Sequence, residues 1–167
     1  MELLLYNLTQ HIKEQMPSLS MVDEDYGQLE ALDNEEVDMY PLTYPAVLID
    51  APLADWSNLA GKSQKGTATV TVKLIIDCYD DTHNGSGTED KILGRAEMVK
   101  QLHKCLQRYR PIDDGELIRT KSQSYTWKHG IKVYLAEYKV AVTDIIQETM
   151  KVDAPRKVAV SVGMLRP

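Results

Sequence analysis

Glu137-Tyr138-Lys139 is the string in this sequence whose chemistry is easiest to name. Residues two apart on a strand share a face. Glu137 and Lys139 so placed resemble the last part of a metal-dependent nuclease site, where the Glu and an acidic residue on a preceding strand hold Mg²⁺ and the Lys positions the attacking water. Asp77 is the partner that the preceding strand offers. The same two residues also read as a plain solvated pair on a sheet surface. Gly61-Lys62-Ser63 resembles the end of a phosphate-binding loop, but that loop needs a Gly five positions before the Gly of its Gly-Lys pair, and Trp56 stands there. His11, His83, His103 and His129 are far apart in sequence, with no HxxxH and no Gly-x-Ser-x-Gly elbow, which argues against zinc and serine hydrolases. Lys100, Lys104 and Arg108, spaced by four, fit phosphate contacts or simply a solvated helix face. Cys78 and Cys105 have neither CxxC spacing nor histidine companions and read as small buried hydrophobes of a reduced compartment. No catalytic constellation, cofactor site or metal site is expected beyond the nuclease alternative.

The 167 residues suit one domain, and 43% apolar with 26% charged residues is an ordinary globular balance. Phe is absent, so nine Tyr and two Trp carry the aromatic packing. A net charge of −6 and a pI near 5.2 argue against a protein whose main work is gripping nucleic acid. Leu3 to Leu5 is too short an apolar region for a signal peptide, and no stretch approaches the roughly 18 apolar residues of a membrane helix, so no membrane partner is expected. The charge is unevenly spread. Residues 1–60 carry twelve carboxylates against the single base Lys13, while residues 61–167 carry thirteen carboxylates against eighteen bases. An acidic loop is expected near 23–38, where Asp23, Glu24, Asp25, Glu30, Asp33, Glu35, Glu36 and Asp38 occur without a Lys or Arg. If the two halves occupy different faces, one molecule's acidic face can meet the next molecule's basic face, a head-to-tail contact that generates rings or filaments.

The elements follow from periodicity. Leu5, Leu8, Ile12 and Met16 mark one face of a helix over 2–16, closed by Pro17. Residues 18–32 read as a strand with a glycine irregularity, 45–50 as a short buried strand, and 52–65 as a polar connection. From 66 to 79, Ala68, Val70, Val72, Leu74, Ile76 and Cys78 alternate with mostly polar residues, a long half-buried strand. A mobile turn-rich loop over 80–87 leads to a helix over 89–109, capped by Thr88, with Ile92, Ala96, Val99, Leu102 and Leu106 on its apolar face. Arg95 falls at the angle of that stripe, as a snorkelling rim residue or a subunit contact. Residues 116–128 and 131–143 form an antiparallel hairpin across His129-Gly130. The buried parity of its second strand switches near Ala136, for which a bulge is the simplest cause. Val158, Val160 and Val162 suggest a further strand near 157–163. The fold class is α+β: a mostly antiparallel sheet, an N-terminal and a central helix, and a closing β-hairpin.

This order of elements, with the strings Tyr44-Pro45-Ala46-Val47-Leu48-Ile49-Asp50, Gln64-Lys65-Gly66 and Asp77-Cys78-Tyr79, resembles bacteriophage tail terminator or tail completion proteins over residues 1–150. The resemblance implies a structural, non-enzymatic subunit of a homo-oligomeric ring, usually of six. Such a ring caps the tail tube protein, offers a surface to a head completion protein, and lets DNA pass only as cargo. It implies a place in the virion tail after assembly in the bacterial cytoplasm. Arg95, Trp56, Lys62, Lys65, Asp80 and Asp81 are the candidate subunit or partner contacts. The alternatives are another head-tail connector or neck protein and, in a different class, the nuclease built on Asp77, Glu137 and Lys139.

Overall fold

Leu4, Leu5, Leu8 and Ile12 are buried along one side of α1 (Glu2–Gln15), the helix that the leucine spacing predicts. The computed structural model describes residues 1–33, 41–112 and 115–145. After α1 come β1 (Met21–Glu24), β2 (Ala46–Ile49), β3 (Leu53–Asn58), β4 (Gln64–Ile76), α2 (Asp90–Leu106), β5 (Ile118–Thr126) and β6 (Lys132–Asp144). The strands make one six-stranded sheet in the order β1-β2-β4-β6-β5, with β3 beside the first half of β4. Only β1 and β2 run parallel; every other pairing is antiparallel, so the fold is α+β as expected.

The alternation in β4 decides how the layers stack. Ala68, Val70, Val72, Leu74 and Ile76 point to the face covered by α1 and α2, where they meet Leu8, Ile12, Leu102 and Leu106. Thr67, Thr69, Thr71 and Lys73 point the other way, and β-branched threonines suit that half-open pleated surface. A second, smaller core forms on this opposite face, where Leu29 and Leu42 join Ala46, Leu48, Ile75, Ile131 and Val133. β2 is therefore buried on both faces, which is why it reads as an unbroken apolar run.

The two cores also explain the parity switch in β6. Its pairing with β4 runs without a break from Ile76↔Lys132 to Gln64↔Asp144, so no bulge lies at Ala136. Val133 is buried in the second core, while Tyr138, Val140 and Val142 are buried in the first. The register shift of this hairpin is in β5 instead, between Arg119 and Lys121.

Four other expectations are corrected. Within 18–32 only Met21–Glu24 is extended. The buried Gln28 side chain accepts from the Tyr26 N–H (2.6 Å) and donates to the Glu24 carbonyl (2.7 Å), taking backbone partners that a longer strand would use. The chain then turns through Gly27, at φ +89°, into a 3₁₀ turn at Glu30–Asp33. The supposed polar connection 52–65 contains β3, because the first half of β4 needs a partner on the edge that β2 does not reach. Thr88 does not cap α2: its hydroxyl donates to the Asp81 carbonyl, and Glu89 at the cap position turns its carboxylate to the Gly85 N–H, so the helix has no side-chain cap. Finally, α2 buries only Leu102 and Leu106, and Ile92 and Ala96 are exposed. Arg95 is already level with Cys78, two residues past the end of β4, so the turns before it have no strand beneath them.

The hairpin turn is a 3₁₀ turn at Lys128–Gly130, with Gly130 at φ +75°. A Cβ there would meet the Cys78 carbonyl oxygen at 2.6 Å, so this turn needs glycine for both conformation and space. The acidic segment beyond Asp33 and the strand expected near 157–163 lie outside the described residues.

Candidate functional site

The sheet order turns the charge asymmetry of the sequence into a separation in space. β1, with Asp23 and Glu24, and β5, with Arg119 and Lys121, are the two outer strands of the main path, and neither has a second strand partner among the described residues. Four inter-strand steps set them roughly 19 Å apart. Beside β1, a hollow against α1 is lined by Glu2, Tyr6, Asp23, Glu24 and Tyr26, with no cation in its wall.

Beside β5 lies a cleft of about 260 Å³ that α2 leaves uncovered. Cross-strand partners share a face, so the pairs Arg119↔Tyr138, Ser122↔Ala136 and Ser124↔Tyr134 all turn toward α2. Val99 and Leu102 supply the apolar wall from the helix. At the base, His103 Nδ1 and the Tyr138 hydroxyl are 3.1 Å apart. Burial, and then the Arg119 cation, hold the His103 imidazole below its ordinary pKa, and burial pushes the Tyr138 phenol up to about 12. Lys121 is neutralised by Glu137 (Oε2 at 3.1 Å), whereas no described carboxylate pairs with Arg119. The cleft therefore offers an apolar floor, two serine hydroxyls and one uncompensated cation.

Neither a family model nor a curated protein matches this chain.

The six contacts expected from sequence fall into two groups at opposite ends of β4, roughly 35 Å apart for eleven residues of strand. At one end Trp56 on β3 lies across from Gly66, and Lys65 pairs in register with Ser57 and Thr143, both near the Gly61 turn that carries Lys62. Leu53 and Leu59 are exposed on the same arm. At the other end, Asp80, Asp77 and Arg95 line one open hollow with Tyr79, and Asp81 Oδ1 stands 2.6 Å from His83 Nδ1. Arg95 turns inward, its Nη1 donating to Cys78 Sγ at 3.0 Å and its Nε buried without a partner.

The nuclease trio is not brought together. Glu137 lies opposite Thr71, six residues before Asp77, so the two carboxylates are roughly 20 Å apart. Among the described residues no group of three His, Cys, Asp or Glu side chains could hold a metal ion, and no helix is long and apolar enough to cross a membrane.

Two clusters had no signature in the sequence. One is the His103, Tyr138 and Arg119 cleft, whose members come from three elements. The other joins Lys73 to Asp25 and to Asp50 (3.0 Å) on the face away from the helices. There the Lys73 ammonium lies between two carboxylates that raise its pKa; its hydrogen bond holds Asp25 below the ordinary range, while burial raises Asp50. With its pKa raised, Lys73 stays charged at neutral pH, so it acts as a tie between chain segments and has no free-base character to offer as a nucleophile.

Proposed function

We propose that this chain is the subunit of a ring that closes a bacteriophage tail tube, a tail terminator or tail completion protein. The observation that carries the reading is a single sheet with an acidic outer strand, β1, and a basic one, β5. A contact between unlike patches is heterologous, and repeated about an axis it closes a ring. Outer strands with unpaired backbone groups are ready templates for such contacts. With the ring built edge to edge, the two ends of β4 face up and down. The arm with Trp56, Lys62 and Lys65 forms one annular surface, and Asp80, Asp81, Tyr79 and the exposed first turns of α2 form the other. These surfaces are where the tail tube protein and the head completion protein dock. A net negative subunit suits a channel through which DNA slides without sticking.

The test is light-scattering mass over a concentration series at low and high salt, with electron microscopy of the largest species. A closed oligomer of fixed size that dissociates as salt screens its contacts is expected. A chain that stays monomeric at low salt, alone and mixed with tail tubes, would sink the reading.

A further inference from the structure

The cleft between α2 and β5 has room for one aromatic ring. A closed cavity of about 150 Å³ already accepts benzene, and this one measures about 260 Å³ and opens to solvent. Its apolar wall wants an apolar insert, while Arg119, with no described carboxylate partner, wants an anion beside it. Such a combination is met by an aromatic side chain flanked by a carboxylate.

One segment at the opposite edge of the sheet has that chemistry. Tyr26, 58% exposed, lies two residues past the end of the acidic strand β1, and its hydroxyl donates to Glu24 Oε2 at 2.8 Å. Its loop is braced from inside: buried Gln28 accepts from the Tyr26 N–H and donates to the Glu24 carbonyl, and the Gly27 N–H donates to Asp25 Oδ1 at 2.9 Å. A side chain presented by a pre-ordered loop loses little freedom on docking, which is how an aromatic anchor gains affinity. The hollow containing Tyr26 also takes in Glu2 and Tyr6 of α1, so it opens on the helix-covered face, as the α2–β5 cleft does.

We infer that Tyr26 of one copy seats in the α2–β5 cleft of the next copy, with the adjoining Glu24 paired to Arg119. This inference rests on the ring reading and names its contact: the partner is a second copy of this chain, joined acidic edge to basic edge. The Tyr26 ring fills the space above Leu102 and Ala136, and Glu24 supplies the counter-charge that Arg119 lacks among the described residues.

Self-association of the full chain, measured by sedimentation at low salt, tests it. Tyr26→Ala and Arg119→Glu are each expected to weaken association at least tenfold, with circular dichroism unchanged because both side chains lie at the surface. The charge swap Glu24→Lys with Arg119→Glu is expected to recover most of the loss. A photoreactive benzoyl-phenylalanine at Ser122 should crosslink to the peptide that carries Tyr26 in a product of twice the chain mass. If the parent forms a closed oligomer and the single variants associate equally well, the Tyr26 contact is wrong and the ring reading stands. A parent that stays monomeric at low salt, alone and mixed with tail tubes, overturns both. A crosslink within one chain, to residues 146–167, would assign the cleft to the chain's own C-terminal segment and overturn the contact between copies.

Discussion

The ammonium of Lys73 lies 3.0 Å from Oδ1 of Asp50, the residue that follows β2, and its second partner is Asp25, the residue that follows β1. One β4 side chain thus ties the exits of both strands in the parallel pair. Lys73→Met keeps most of the stem but leaves the largely buried Asp25 carboxylate without its cation. Losing a charged hydrogen bond of this kind costs about 1.5–3 kcal/mol. The loss should depend on pH in a definite way. Asp25 is held below its ordinary 3.8, so its contribution is complete above that value and disappears as pH falls through the lowered one. Asp50 is raised and protonates first, which leaves Asp25 as the last carboxylate on Lys73. The gap between parent and variant in urea unfolding is therefore expected to be full at neutral pH and to narrow on acidification, first as Asp50 protonates and last as Asp25 does below pH 3.8. A gap that widens on acidification would refute the tie.

α1 and the first turn of α2 each carry a leucine, Leu8 and Leu93, yet the two should respond differently to truncation. Leu8 is completely buried against the sheet, and Leu93 is 72% exposed. Leu8→Ala should cost about 2–5 kcal/mol, the usual penalty for emptying a well-packed leucine site. Leu93→Ala should stay within about 0.5 kcal/mol. Thermal or urea denaturation of the monomer separates the two. Similar losses would mean that the first turn of α2 is packed rather than exposed.

That contrast shows where the sequence was legible. The 3.6-residue spacing in α1 and the two-residue alternation in β4 name their buried sides directly, because each packs along its whole length. The stripe of α2 is just as regular, but burial also depends on what lies beneath, and β4 ends before Ile92 is reached. In β6 the change of buried parity was visible and its cause was not, since a second core on the far face leaves the same mark as a bulge. The charge asymmetry could be counted along the chain, whereas its direction in space came from the strand order, which sends β1 to one edge and β5 to the other. The Arg119 cleft was hidden for a related reason: it is what remains where α2 stops short of β5 and the strand offers no apolar side chain to fill the space.

His103 reports on that cleft. Its imidazole is held below 6.5 first by burial and second by the Arg119 cation, with the Tyr138 hydroxyl 3.1 Å from Nδ1. Arg119→Gln removes the charge while keeping a polar side chain at the mouth, so the His103 pKa should rise toward 6.5 without reaching it, because burial persists. A histidine whose folded pKa lies below its unfolded value takes up its proton more readily when unfolded, so the parent loses stability as pH falls through 6.5 toward the folded pKa. Arg119→Gln should lose less over the same interval. Proton-detected titration of the His103 ring, at a concentration where the chain is monomeric, reads the first effect, and denaturation at pH 7.5 and about 5 reads the second. An unchanged His103 titration would place the Arg119 charge away from the cleft and remove the cation to which an incoming carboxylate is drawn.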